Sequence, residues 1–162
     1  MSHFSPRTRA EALRDLDYAI RVGVVHERLF GRMHRLFRLI QLLGSSAAFA
    51  GVVGGNAALS ASFALLVAAV AFLDIAFDPA VAARRHADLV RALSRAKSEA
   101  LENPGKTVDA IDQARAAASD IEGLTLFESL RVPCYNEVQR RHGLEANVRP
   151  LTRWQRFMQA IA

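Results

Sequence analysis

The chain carries no charged residue between Leu39 and Leu73. Within this stretch only Gln41, Asn56 and four serines are polar, and the glycine-rich segment Gly54-Gly55-Asn56 interrupts the apolar run near its middle. A helix rises 1.5 Å per residue, so a bilayer core of about 30 Å takes roughly 20 residues. The uncharged stretch is therefore too long for one membrane crossing and about right for two.

Two segments of suitable length flank the glycine-rich break, Leu36–Val53 and Ala57–Phe77. The sequence therefore predicts a transmembrane helical hairpin with a turn of three or four residues. The alternative is a soluble protein that buries an apolar hairpin, since buried helices can be apolar all round. A chain of 162 residues has few residues left to cover two such helices. A secretory signal peptide also fits poorly, because a long charged segment precedes the apolar stretch and a second span follows it.

Charge is concentrated outside the apolar stretch. Residues 1–38 contain eight arginines and four acids, and residues 79–162 contain thirteen Lys or Arg and ten acids. The net charge of +5 could indicate nucleic acid. However, six arginines lie next to the predicted spans, where the positive-inside rule explains them: Arg28, Arg32, Arg35, Arg38, Arg84 and Arg85. We therefore expect membrane lipid, including anionic headgroups, and not nucleic acid, to be the partner of this charge.

The same charge distribution predicts the topology. Both charged flanks lie on one side of a two-span hairpin, so we expect a multi-pass protein of the bacterial inner membrane with both termini in the cytoplasm. The single cysteine, Cys134, then lies in a reducing compartment and forms no intrachain disulfide. We expect it to be a buried small residue and not a reactive thiol.

Helical spacing of apolar residues continues outside the spans, and no strand-like alternation occurs. The predicted fold is all-α, with a cytosolic amphipathic helix over residues 1–38, a transmembrane hairpin over 36–78 and a cytosolic helical region over 79–162. The first helix, from Pro6 to Arg38, has no strong stop before the first span and could continue into it.

Four helices are predicted in the C-terminal region. Asp78-Pro79 begins a helix that runs to about Glu102, and the later helices are predicted over Thr107–Ile121, Leu126–His142 and Arg153–Ile161. Pro133 marks a kink or a helix start, Gly143 is a C-cap and Thr152 an N-cap. The apolar face of the last helix either lies at the headgroup level or docks on the cytosolic bundle; its residues are Trp154, Phe157, Met158 and Ile161.

Small residues recur four apart in both spans, and such residues let helix backbones approach closely in lipid. This pattern is compatible with packing of the two spans within one chain, and we expect it also to support homo-oligomers. The candidate residues for packing and oligomerisation are Gly44, Ser45, Ala48, Gly51, Ser60, Ala64 and Ala68.

Asp74 is a carboxylate near the cytoplasmic end of the second span. An ionisable residue within a membrane is a functional-site candidate. We expect Asp74 to pair with a juxtamembrane arginine such as Arg35 or Arg38, in preference to a role in ion conduction or proton transfer. The candidate juxtamembrane charges are Arg32, Arg35, Arg38, Asp74, Arg84 and Arg85.

No residue pattern indicates catalysis, a cofactor or a metal. The five histidines are scattered and no cysteine cluster accompanies them: His3, His26, His34, His86 and His142. The glycines at positions 51, 54 and 55 lie in an apolar run without a following lysine, unlike a phosphate-binding loop. We therefore expect a protein that is not an enzyme and has no cofactor, no metal and no small-molecule substrate.

The order of these segments resembles the SLATT family of bacterial two-transmembrane effector domains. The resemblance is carried by Val24–Phe49 (VVHERLFGRMHRLFRLIQLLGSSAAF) and by the second span through Asp78-Pro79. The tail motifs Leu130–Gly143 and Thr152–Ala162 are similar to small uncharacterised membrane proteins of proteobacterial genomes and prophages. The SLATT resemblance implies a membrane pore that a nucleotide-sensing partner triggers, with cell suicide during phage infection. The trigger is expected to come from another protein.

We therefore expect a small inner-membrane protein that oligomerises and perturbs or permeabilises the bilayer. The hydroxyls in the spans would line or pack the lesion: Ser45, Ser46, Ser60 and Ser62. One alternative is a membrane-anchored scaffold, encoded by a prophage or the host, that recruits a protein partner through its cytosolic helices, for example in superinfection exclusion. A holin-like lysis protein ranks lower, because holins are usually dominated by their spans.

Overall fold

The computed structural model describes residues 7–119 and 128–162, and all regular secondary structure in those ranges is helical. The α-helices are α1 (Arg9–Val53), α2 (Ala57–Phe77), α3 (Pro79–Glu102), α4 (Val108–Ser119), α5 (Arg131–Arg141) and α6 (Arg153–Ile161), with 3₁₀ turns at Glu128–Leu130 and Glu145–Asn147. This confirms the prediction of an all-α fold.

The chain forms two compact units. The hairpin unit comprises Leu29–Ala83, and the bundle unit comprises the residues up to Arg28 together with Arg84–Ala162. The division falls within α1 and within α3, so each of these helices contributes residues to both units.

Helix α1 is one continuous helix of 45 residues, as its lack of an internal stop predicted. It begins at Arg9, and the predicted start at Pro6 lies outside the described residues. A reciprocal cap sets the start at Arg9: the Thr8 backbone N–H donates to Glu11 Oε2 at 2.7 Å, and the Glu11 N–H donates to Thr8 Oγ1 at 3.3 Å. The hydrogen bond from Thr8 lowers the pKa of Glu11.

The bundle unit has its own apolar core. Residues from α1, α3 and α4 form it: Ala12, Leu16, Leu89, Leu93, Ala100, Ile111 and Ala118. Ion pairs join α1 to α3 and to α5, with Lys97 Nζ 2.5 Å from Asp17 Oδ1 and Arg21 2.6 Å from Glu137. Partly exposed pairs of this kind stabilise little, so burial of the core residues holds the unit together.

The predicted C-terminal helices form with shifted boundaries. Helix α4 covers Val108–Ser119, and the predicted end at Ile121 lies outside the described residues. In the Leu126–His142 prediction, Leu126 also lies outside them, and α5 starts at Arg131 after a 3₁₀ turn. Pro133 is the third residue of α5, where its missing N–H costs no intrahelical hydrogen bond. It therefore marks the helix start, one of the two roles expected of it.

Local caps set the ends of α5 and α6. Gly143 adopts φ +70° after α5, so the predicted glycine C-cap is confirmed. Thr152 Oγ1 accepts from the Gln155 N–H at 3.2 Å while Gln155 Oε1 accepts from the Thr152 N–H, a capping box that begins α6 as predicted. Between these helices, the buried Asn136 amide bonds both the N–H and the C=O of Arg149. These contacts hold the 3₁₀ segment between α5 and α6 against α5.

In the hairpin unit, α1 and α2 are joined by Gly54-Gly55-Asn56, as predicted. Gly55 adopts φ +70°, a conformation that glycine adopts at no steric cost. Asn56 Oδ1 accepts from the Leu59 N–H at 3.0 Å and caps α2. The second apolar segment predicted from composition, Ala57–Phe77, coincides with α2.

Asp78 joins α2 to α3. Its φ of 37° lies in the left-handed region, which aspartate adopts more readily than most residues. Its backbone N–H donates to Asp74 O at 3.0 Å and closes α2, while its Oδ1 accepts from the Val81 N–H at 3.2 Å. With Pro79 at the first position of α3, the predicted Asp78-Pro79 helix start is confirmed.

Candidate membrane-spanning hairpin

Within residues 7–119 and 128–162, two helical segments are long and apolar enough to cross a membrane by length and composition, Arg9–Val53 and Ala57–Glu102. Only 11% and 6% of the most apolar stretches of these two segments, respectively, are buried within the chain. Large side chains along them are open to the surroundings, including Ile75 at 81%, Leu65 at 72% and Phe49 at 71% exposure. These helices are therefore not the buried core of this chain, unlike in the soluble alternative.

The two helices of the hairpin unit pack antiparallel through glycines. A Cβ built on Gly44 would lie 2.6 Å from Val67 Cγ2, and one built on Gly51 would lie 2.9 Å from the Ser60 backbone nitrogen. Real Cβ atoms do not approach other atoms this closely, so a side chain at position 44 would displace Val67, and one at position 51 would push the backbones of α1 and α2 apart. In lipid, such close approach is a main source of helix–helix attraction.

The serines of the hairpin divide into two groups. Ser60 Oγ donates across the contact to Ala48 O on α1 at 2.9 Å. The other three donate to the carbonyl four residues earlier in their own helix, at 2.6 to 2.9 Å, and are exposed: Ser45, Ser46 and Ser62. A hydroxyl bonded in this way can face lipid or a second helix without an unsatisfied donor.

The seven residues proposed for packing and oligomerisation also separate into two sets. Gly44 and Gly51 are buried in the contact between α1 and α2, and Ala48 and Ser60 are half-buried and joined by the hydrogen bond across it. The remaining residues are exposed on the outside of the hairpin: Ser45, Ala64 and Ala68. The first set serves packing within one chain, and only the second set is open to another chain.

Asp74 has a different partner from the one expected. Its Oδ1 lies 3.7 Å from Nδ1 of His34, one helical turn before Arg38, and both side chains are partly buried. Pairing with Arg35 or Arg38 was wrong: Arg35 Nε donates to Gly31 O at 3.2 Å, and Arg38 is exposed. The antiparallel register of α1 and α2 explains this, because it places the inward-facing position 34 opposite Asp74 while positions 35 and 38 point outward.

The candidate juxtamembrane arginines are all exposed. Arg32, Arg35 and Arg38 belong to the hairpin unit, and Arg84 and Arg85 are the first residues of the second part of the bundle unit. Exposed guanidinium groups beside an apolar segment are suited to contact phosphate groups.

The bundle unit brings together two histidines that are 60 positions apart in the chain. The rings of His26 on α1 and His86 on α3 stack with centroids 5.1 Å apart, and both side chains are buried. His26 Nδ1 lies 2.9 Å from the carbonyl oxygen of Val22. Within residues 7–119 and 128–162, no group of three or more His, Cys, Asp or Glu side chains could hold a metal ion.

The sequence did not predict two residue pairs, His34–Asp74 and His26–His86, because the histidines are scattered along the chain. Each pair lies on different helices, and its members are 40 or 60 residues apart. Helical spacing relates positions within one helix only, so no sequence signal connected them.

Cys134 is almost fully buried on α5, in agreement with its expected role as a small packing residue. Burial raises the pKa of its thiol to about 11. A thiol with this pKa is a poor nucleophile near neutral pH.

No family model matches the chain, and no curated protein and no solved structure matches it at a significant level. The resemblance to the SLATT family therefore stays a prediction from the order and composition of the segments.

Proposed function

We propose that this chain is a two-span inner-membrane protein that oligomerises and perturbs or permeabilises the bilayer. The observation that supports this most strongly is the exposed apolar surface of residues 39–73, the uncharged part of the hairpin unit. Soluble monomers rarely expose apolar patches of this extent. A bilayer would cover the surface, and the helical backbone would satisfy its own polar groups there.

Contacts between copies would use the outer set of small residues. Ala64 and Ala68 lie one turn apart on the exposed side of α2, while the contact with α1 uses Ser60 and Val67. Exposed hydroxyls on the same surface could line a polar lesion when several hairpins assemble: Ser45, Ser46 and Ser62. The SLATT resemblance suggests the biological setting, a phage-defence effector whose trigger is another protein.

Induced expression in a bacterial host tests this proposal, with a membrane-potential dye read against viable counts and with the neighbouring genes present or absent. We expect rapid depolarisation by the natural chain. The double variant Ala64→Ile, Ala68→Ile places larger side chains on the outer surface and should remain membrane-bound. Loss of one contact of about 1.4 kcal/mol between copies should reduce the rate of depolarisation roughly tenfold or more. The control Leu65→Ile, Leu66→Ile conserves volume on the same helix and should keep the activity.

A natural chain that is inserted but leaves both potential and viability unchanged, with and without its neighbours, would contradict the proposal. Equal activity of the two double variants would show that the outer small residues do not mediate the assembly.

The runner-up function is a membrane-anchored scaffold, favoured by the separate apolar core and ion pairs of the bundle unit. A folded unit of this kind offers a defined surface to a protein partner. Replacing both spans with unrelated transmembrane helices distinguishes the two functions, because a scaffold should keep its activity after the exchange and a pore should lose it.

A further inference from the structure

The last helix, α6, presents aromatic side chains that the bundle unit does not cover. Met158 is buried and faces the bundle, whereas Trp154 is 58% and Phe157 53% exposed. The two rings stack with centroids 5.4 Å apart at 29°, so they form one continuous apolar surface. Helix α6 therefore docks through one edge of its apolar face and leaves the rest open.

The chain segment that carries this aromatic surface is basic. From Ala146 to Ala162 the chain contains three arginines and no acid. Arg149 lies over the ring of Tyr135, 5.1 Å from its centroid, while Arg153 and Arg156 are exposed on α6. Arg153 precedes Phe157 by four residues and so lies beside it on the helix surface.

We propose that α6 binds the headgroup layer of a bilayer containing anionic phospholipid, with Trp154 and Phe157 at the level of the ester groups and Arg153 and Arg156 on the phosphates. Tryptophan is enriched at this depth in membrane proteins, and basic amphipathic helices bind anionic surfaces in this way. This inference rests on the proposed membrane location, which supplies the bilayer, but not on any pore. The two positions that the sequence left open for this face are then combined, with Met158 on the bundle and Trp154 and Phe157 on lipid.

The composition of the surface favours lipid over a protein partner. A membrane-surface helix needs an apolar strip flanked by cations, and α6 combines two exposed aromatic rings with two exposed arginines over nine residues. Each arginine near an anionic membrane contributes about 1 kcal/mol, which corresponds to about a fivefold change in the ratio of docked to undocked α6.

Trp154 is the only tryptophan in the chain and reports directly on this contact. The full-length protein would be reconstituted into vesicles of equal parts phosphatidylglycerol and phosphatidylcholine, or of phosphatidylcholine alone. Insertion is verified by resistance to carbonate extraction. Lipids brominated near the headgroup or near the end of the acyl chain then quench the fluorescence at known depth. We expect blue-shifted emission in the anionic vesicles and stronger quenching by the shallow bromines.

The variant Arg153→Gln, Arg156→Gln should show weaker quenching by the shallow bromines in anionic vesicles. At about fivefold per arginine, the ratio of lipid-bound to unbound α6 should fall about 25-fold. The control Arg91→Gln, Arg95→Gln removes two exposed charges from α3 and should leave the quenching unchanged. Added salt should weaken the quenching of the natural chain and have less effect on the Arg153, Arg156 variant.

Three outcomes would overturn the inference. Carbonate-resistant protein whose Trp154 stays water-exposed and unquenched would contradict lipid binding by α6 while leaving the membrane location intact. Emission that is blue-shifted but insensitive to brominated lipid would indicate that a second copy covers α6. A chain that fails to insert would contradict both the membrane location and this inference.

Discussion

Burial determines the chemistry of the single cysteine. Cys134 lies on α5 with almost no exposed surface, and desolvation of the thiolate raises its pKa from 9.0 to about 11. The nearby Arg21 lowers this pKa, but less than burial raises it. The thiol therefore stays protonated over the physiological range and acts as a small apolar group in the packing of α5.

This pKa predicts slow alkylation of the native protein. Because the pKa shifts from 9.0 to about 11, the thiolate fraction of Cys134 near neutral pH is about 100-fold smaller than that of an unshifted thiol. Iodoacetamide at pH 7.5 should therefore modify Cys134 at least that much more slowly in mild detergent than in denaturing detergent, as followed by mass spectrometry. Equal rates in the two detergents would show that Cys134 is exposed.

The same shift also predicts how stability changes with pH. Because the folded-state pKa is raised, the protonated thiol favours the folded state, fully so below about pH 9, and this contribution is lost as the pH rises from 9.0 to about 11. The variant Cys134→Ala should lack this part of the alkaline decline in unfolding temperature.

Gly44 and Gly51 of α1 face α2 at close range, whereas Gly31 of the same helix faces open space. Gly51 faces the backbone of Ser60, and Gly44 faces Val67, whereas a Cβ on Gly31 would meet no atom within 4 Å. Glycine costs about 1 kcal/mol relative to alanine inside a helix. Glycine therefore lowers the stability of α1 at positions 44 and 51, but its lack of a side chain allows α1 and α2 to approach closely there.

Alanine substitutions in α1 test this contact. Gly51→Ala should destabilise the hairpin by about 1 kcal/mol net, since about 1–3 kcal/mol of overpacking exceeds the helix-propensity gain. Gly31→Ala is the matched control in the same helix. It should raise the free energy of unfolding by about 0.5–1 kcal/mol, because alanine favours the helix and meets no other atom there. Unfolding in mixed detergent micelles, followed by circular dichroism, measures both. If Gly51→Ala stabilised as much as Gly31→Ala, α1 and α2 could not be in close contact at Gly51.

Under the proposed membrane location, the placement of charge along the chain predicts an orientation. The hairpin turn is neutral, and exposed arginines flank both apolar segments on the side of the termini. Under the positive-inside rule, this side should stay in the cytoplasm.

Reporter fusions measure this orientation. Alkaline phosphatase inserted at Asn56 should be active, and green fluorescent protein fused after Ala162 should fluoresce. Replacing Arg32, Arg35 and Arg38 with glutamine should give mixed orientations, whereas replacing Arg91 and Arg95 should not. Active phosphatase at the C-terminus of the natural chain would contradict the predicted topology.

Features that depend on neighbouring residues in the chain could be predicted from sequence. The Asn56 cap and the Asp78-Pro79 pair set the two ends of α2. The side chains of Thr152 and Asp78 cap the helices that follow them, and the left-handed Gly143 ends α5. Such interactions span three or four positions, so the order of residues alone contains the information that specifies them.

Contacts between distant residues required the three-dimensional structure. Helical periodicity shows which residues share a face, but close packing selects which faces meet. This selection placed Asp74 against His34 instead of an arginine and stacked His26 on His86. It also buried Gly44 and Gly51 while leaving Ala64 and Ala68 exposed, although all four belong to the same kind of small-residue pattern. The physical reason is that side-chain volumes must be complementary across the interface between two helices. The sequence of one helix does not specify which face of the other helix it will meet.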